Sequence, residues 1–165
     1  MMRKFFGLVI LIGALGALAA CARCGPYSDG WGGQEPTLGV FYEDDMRWIT
    51  FDELELWMYS DKDILLLDVR REDAWGVVHI EGSINTHAMN FMGEGNQQAF
   101  IDAIYPVLSQ AGDVPVVVLC NSGASGVRAA WSGMMDMGFD MSRVYLLVGG
   151  VNHLQVGDAP FVIRD

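Results

Sequence analysis

The residue with the most chemical promise is Cys120. It follows Pro115-Val-Val-Val-Leu119, a run apolar enough for a strand buried on both faces, and precedes Asn121-Ser-Gly-Ala-Ser-Gly126, a run of small residues. A helix is expected next, running to about Met137, with Gly138 as its stop. A thiol between a strand end and a helix start, on a loop with two glycines, has the makings of a nucleophile site. The loop can turn several backbone N–H groups toward one point, and the helix end adds partial positive charge. Both favour a thiolate over a thiol, and the same donors would hold a persulfide or a bound oxyanion. Gly123 and Gly126 permit turns that a side chain would obstruct. The competing reading is a core cysteine that ends a strand, since free cysteine is among the most buried residue types.

Other elements must hold that site. Arg47-Trp48-Ile49 reads as a short strand, and Thr50-Phe51-Asp52-Glu53 fits a capping box opening a helix to about Tyr59. Asp61-Lys62-Asp63 is a polar turn. Ile64 to Val69 is apolar but for Asp68, as in a strand covered on both faces, so Asp68 is expected to be buried and paired with backbone amides or an arginine. Glu72 to Val78 reads as a short helix, Ser83-Ile84-Asn85 as a short strand, and Gly93 to Gly95 as a loop. Phe100, Ile101, Ile104, Tyr105 and Leu108 fall at helical spacing, with Pro106 expected to disturb the last turn. Val144 to Val148 is another buried strand, ending in Gly149-Gly150. The alternation predicts an α/β fold with a mainly parallel central sheet and helices on both faces. Ligands of such sheets bind beyond the C-terminal ends of the strands, where Cys120 falls.

Four segments in order resemble a rhodanese domain. Leu65-Leu-Leu-Asp68-Val69-Arg70 is similar to the family's strand ending in Asp-Val-Arg. Gly76-Val-Val-His79-Ile80-Glu-Gly82-Ser-Ile-Asn85 resembles its Gly-His-Ile-x-Gly-Ala-x-Asn segment, with Val77 and Val78 standing between Gly76 and His79. Cys120 to Ala130 resembles the active-site loop and following helix, and Gly138-Phe139 with Val144 to Gly150 resembles the closing segment. The resemblance spans about residues 46 to 161. It implies a sulfurtransferase in which Cys120 takes sulfane sulfur from thiosulfate, polysulfide or a persulfide and passes it to a thiol or cyanide, with no metal or organic cofactor. Asn121, Ser122, Gly123, Ala124, Ser125, Gly126 and Arg128 would then bind the donor, with Asp68, Arg70 and His79 as structural support. A redox or sulfur-relay protein is a further expected partner.

The chain departs from the family in three places. Many family loops hold an arginine or lysine that binds the donor's charge, and this loop has none, which makes dianionic thiosulfate a poorer donor than a persulfide or polysulfide. Thr86-His87 stands where the family has Ile-Pro, and no tryptophan occupies the position near His153 and Leu154. Phosphatases and arsenate reductases of related fold need an arginine six residues after the cysteine to grip an oxyanion, and Gly126 stands there. A rhodanese-like module that binds a partner or carries sulfur without turnover is the other reading kept open. His87 and His153 have no partner at metal-ligand spacing, so no metal site is expected. Trp131, Met134, Met135 and Met137 read as a packing face of the helix.

The N-terminus reads as an address. Met-Met-Arg3-Lys4 precedes an uncharged run from Phe5 to Ala20, the order of a secretory signal and shorter than the roughly twenty residues that span a bilayer. Leu18-Ala-Ala-Cys21 resembles the lipobox of bacterial lipoproteins, which implies lipid on Cys21 and membrane attachment through it. An uncleaved signal anchor is the alternative. Residues 1–20 are therefore expected as signal peptide, 21–45 as lipidated start and tether with Gly25-Pro26, Gly32-Gly33 and Pro36, and 46–165 as the domain. The expected location is the cell envelope, on the periplasmic side, with Ala22 after the cysteine resembling an outer-membrane address. Cys21 and Cys24 have the spacing of a redox motif but lack a strand-to-helix setting, and Cys24 is left without a role.

The charge balance narrows the partners. Lys and Arg number 10 against 21 Asp and Glu, a net charge of −11 that becomes −13 once Arg3 and Lys4 leave with the leader. No basic run remains to pair with phosphates, so nucleic acid is excluded as a partner, and the acidic surface does not adhere to anionic lipid.

Overall fold

The computed structural model describes residues 40–43, 45–92, 96–154 and 162–163, all within the compact unit Pro36–Asp165. The expected leader, Cys21, Cys24, the loop expected at Gly93 to Gly95 and the expected tether up to residue 39 lie outside the described residues.

In chain order the elements are β1 (Val40–Glu43), β2 (Met46–Ile49), α1 (Phe51–Tyr59), β3 (Leu65–Asp68), α2 (Glu72–Val77), β4 (His79–Ile80), β5 (Ile84–Asn85), α3 (Gln97–Leu108), β6 (Val116–Leu119), α4 (Ser125–Asp136), β7 (Val144–Leu147) and β8 (Val162–Ile163). The main sheet has the order β1-β2-β7-β6-β3-β5. Its five strands from β2 to β5 are parallel, and β1 adds an antiparallel edge. β1 thus places a strand inside the stretch read from sequence as tether to residue 45. A second small sheet pairs β4 with β8 antiparallel, His79 opposite Ile163.

Register explains why the strands are apolar throughout. β6 lies between β3 and β7, with Val116 to Leu119 opposite Leu65 to Asp68 on one side and Val116 opposite Val144 on the other. All four β6 side chains are fully buried. Alternate residues serve opposite faces. Leu66, Val117, Leu119, Leu147 and Ile49 turn toward Leu54 of α1, with Ile80 and Val151 closing that cluster. Trp48, Leu67, Val116, Val118, Val144 and Leu146 have the opposite parity and are buried; α4 packs on β6 and β7 on this side, and α3 packs on α4. The fold is therefore α/β with a mainly parallel sheet and helices on both faces. Each fully buried Val, Leu or Phe stabilises it by about 1.5–3 kcal/mol.

Local chemistry sets the helix ends. Thr50 caps α1, its side chain accepting from the Glu53 N–H at 3.3 Å, half of the expected capping box. Gly138 follows α4 with φ +70, the left-handed residue that ends a helix. α3 runs through Pro106 to Leu108 rather than breaking there. Pro106 and Asp102, four residues before it, are both solvent-exposed, so water can serve the carbonyl that loses its partner. Among the described residues, no helix is long and apolar enough to cross a membrane.

Candidate active site

β6 delivers Cys120 to the C-terminal edge of the sheet, at the turn into α4. The neighbouring strand end is tied to it, since the Val69 N–H donates to the Leu119 carbonyl at 3.0 Å. Cys120 is a free thiol and only 4% exposed. Around it, Asn121, Ser122, Ala124 and Ser125 are exposed, whereas Gly123 and Gly126 are buried.

A second loop seats the first. The Val151 N–H donates to the Cys120 carbonyl at 2.8 Å, and the Asn152 N–H to the Asn121 carbonyl at 2.9 Å. Two glycines make this approach feasible. At Gly123, φ +67, a Cβ would lie 2.7 Å from the Gly149 nitrogen; at Gly150, φ +62, a Cβ would lie 2.4 Å from the Cys120 carbonyl oxygen. Neither place admits a side chain. Gly126 is also tight, because a Cβ there would fall 2.9 Å from Cys120 Cβ and 3.0 Å from Met89 Sδ.

With their carbonyls engaged, the loop's donors remain. Among the described residues, no hydrogen bond is donated by the backbone amides of Asn121 to Gly126. Ala124, which precedes α4, supplies no side-chain cap. Loop and helix start therefore offer unspent N–H groups next to a thiol, an arrangement suited to a thiolate, a persulfide or an anion.

The profile of the rhodanese-like domain family matches residues 50–155, which includes every element from α1 to β7. This chain belongs to the rhodanese-like domain family. No curated protein matches it at a significant level. Among solved structures it is similar to the BH2092 protein from Bacillus halodurans, at 19% identity and TM-score 0.45, covering 63% of this chain and 67% of that one. It is similar to yeast Ygr203w, described as a protein tyrosine phosphatase of the rhodanese family, at 18% identity and TM-score 0.43, covering 64% and 81%. An As-Sb reductase from Leishmania major matches at 19% identity and TM-score 0.42, covering 64% and 73%.

Three arginines of this rhodanese-like domain, Arg70, Arg71 and Arg128, are engaged elsewhere. Arg70 is 1% exposed and grips Asp68, itself fully buried: Nη2 donates to Oδ2 at 2.8 Å and Nε to Oδ1 at 3.0 Å. Its remaining donors go to the carbonyls of Val78 at 2.7 Å and Ala74 at 3.3 Å, which pins α2 to the end of β3. Arg71 points to solvent, 65% exposed, beside Asp73. Arg128, expected among the donor-binding residues, instead has its guanidinium over the Trp48 ring at 5.5 Å and donates to Met46 Sδ at 3.6 Å. The cause is its place on α4 between the buried Val127 and Ala130, on the side that covers the sheet.

His79 is buried and stacks on Trp75, ring centroids 4.0 Å apart. Its Nδ1 donates to the Trp75 carbonyl at 3.1 Å, so that nitrogen carries the proton. Asp68, Arg70 and His79 thus hold α2 and the strands around it, while Cys120 and the Asn121–Gly126 loop lie together at the candidate site. Among the described residues, no group of three or more His, Cys, Asp and Glu side chains converges as a metal set would. Sequence reasoning missed Met89 and Val69 beside Gly126, and the Gly149-Gly150 turn beside Cys120. No local pattern marks Met89; the paired glycines were visible, but not what they approach.

Proposed function

We propose that this protein is a sulfurtransferase that carries sulfane sulfur on Cys120. The observation that carries the reading is a buried free thiol beside six consecutive backbone amides that have no other hydrogen-bond partner among the described residues. In the first step the Cys120 thiolate attacks the outer sulfur of a donor. An S–S bond forms on Cys120 as the donor's S–S bond breaks, and a thiolate, a shortened polysulfide or sulfite leaves with that electron pair. The loop amides stabilise the resulting persulfide anion. A thiol or cyanide then attacks the outer sulfur and regenerates the Cys120 thiolate. An arginine-dependent phosphatase reaction is disfavoured, because Gly126 stands at the sixth position and its Cβ space is already filled.

The lipobox-like Leu18-Ala-Ala-Cys21 suggests a wider setting, at the cell envelope. Lipid on Cys21 would hold the domain at a membrane, where a redox or sulfur-relay protein could supply or accept the sulfur. A change of Cys21 to Ser should release the protein from the membrane fraction.

The test is mass spectrometry on the chain from residue 25 onward, in which Cys120 is the one cysteine. Thiosulfate or polysulfide should add one sulfur to Cys120, cyanide should remove it as thiocyanate, and Cys120→Ser should take up none. A folded, reduced protein that gains no sulfur from any donor would sink the enzyme reading and leave a partner-binding module.

A further inference from the structure

A thioether, brought there by a strained turn, borders Gly126 on the side that Cys120 also borders. β5 ends at Asn85, and His87 then adopts φ 55 and ψ 14, the left-handed region that a histidine rarely occupies. The turn is fixed by its surroundings. The His87 N–H donates to Asn85 Oδ1 at 3.1 Å, and the Thr86 N–H to the Asp68 carbonyl at 2.9 Å. The Met89 N–H donates to the Val69 carbonyl at 2.8 Å, and Ala88 between them is fully buried. Backbone strain persists where neighbouring bonds over-determine it, and here it folds the chain back so that Met89 reaches the space beside Gly126 that Cys120 also borders. Met89 Sδ and Cys120 Cβ both lie within 3.0 Å of the point where a Gly126 Cβ would stand, and Val69 Cγ2 lies 3.4 Å from it.

We propose that Met89 is a specificity-determining residue that makes the Cys120 site select monoanionic or neutral sulfane donors, such as hydropersulfides, over dianionic thiosulfate. The inference rests on the sulfur-transfer reading of Cys120. Met89 presents a polarisable, uncharged sulfur and no hydrogen-bond donor. Val69 adds a methyl group, and Arg70, Arg71 and Arg128 are engaged away from this wall. A hydropersulfide gives its outer sulfur to the Cys120 thiolate and leaves as a thiolate, so only one negative charge has to be accommodated. Thiosulfate leaves sulfite, and three negative charges then meet at a wall from which Arg70, Arg71 and Arg128 are all turned away. Desolvating a dianion against a thioether and a methyl group is unfavourable, whereas a sulfane chain packs on both.

The experiment uses the full-length protein and follows persulfide on the peptide that contains Cys120, comparing thiosulfate with cysteine hydropersulfide. Wild type should favour the hydropersulfide in kcat/KM. Met89→Lys should move the ratio toward thiosulfate by about tenfold or more, because a cation then faces the dianion. Met89→Leu, which keeps the wall apolar, should move both rates together and leave the ratio within about threefold. Should the lysine variant not fold, Met89→Gln takes its place, with a severalfold shift in the same direction. An unchanged ratio in the lysine or glutamine variant overturns the proposal, as does a wild type that favours thiosulfate. A wild type that takes sulfur from neither donor overturns the sulfur-transfer reading itself, a result distinct from either.

Discussion

Replacing Asp68 by Ala tests whether the buried ion pair organises the strand ends around Cys120. Asp68 accepts from the Arg70 backbone N–H at 2.9 Å as well as from its guanidinium, and both side chains are essentially sealed from water. Removing one member of such a pair strands the other charge, which typically costs about 3–5 kcal/mol. Arg70 would keep two carbonyl acceptors, Val78 and Ala74, which places the expected loss near the lower end, about 3 kcal/mol. For a domain of this size that corresponds to a fall in Tm on the order of 10 °C. The loss should be read by urea unfolding at neutral pH, beside Arg70→Met and the combined Asp68→Leu, Arg70→Met variant. Because the double variant leaves no buried charge, it should be less damaging than the sum of the single changes. Strict additivity, or a loss below about 1 kcal/mol for Asp68→Ala, would refute the argument that the pair is a closed, mutually dependent unit.

Three further outcomes follow from the geometry. Gly150→Ala forces a Cβ to within 2.4 Å of the Cys120 carbonyl oxygen at a positive φ, so it should cost more than about 4 kcal/mol or prevent folding, checked by circular dichroism and chemical denaturation. Thr50→Ala removes the cap on α1 and should cost about 1 kcal/mol in the same assay while sulfur uptake on Cys120 is retained. The hydrogen bonds from the Ser142 side chain and backbone, helped by Arg143, hold the Asp140 carboxyl below its usual 3.8. A depressed carboxylate contributes stability that is present above 3.8 and is lost as pH falls through its lower folded value. The stability gap between wild type and Asp140→Asn should therefore narrow below about pH 4, and a gap that stays constant into stronger acid would contradict this.

The parts of the fold that could be read from sequence are those with sustained pattern or local capping chemistry. β3, β6 and β7 announce themselves as buried apolar runs, and Thr50 with Glu53 marks the start of α1. The two-residue strands β4 and β8 were not legible as a pair, because two residues have no period and their pairing is non-local. β1 was hidden behind a glycine- and proline-rich approach that reads as tether. At the candidate site, the place of Cys120 between the end of β6 and the start of α4 was legible from chain order alone. The destination of Arg128 was not: on the first turn of a helix, a long side chain can reach either toward the loop or along the sheet, and contact with Trp48 and Met46 decides. Met89 was beyond reach for a similar reason. Its approach depends on a positive φ at His87, a conformation that the residue type does not advertise.

The clasp between the two loops also has a consequence in time. The carbonyls of Cys120 and Asn121 are met by the amides of Val151 and Asn152, thirty or so residues later in the chain. A protein made from its N-terminus onward has its thiol before it has the segment that seats it. Cys120 therefore passes through a nascent interval in which β6 is already synthesised and the clasp is still unborn. During that interval the sulfur is guarded only by whatever reducing agents surround the growing chain, and its vulnerability to oxidation is set by how quickly the last turns of the domain arrive.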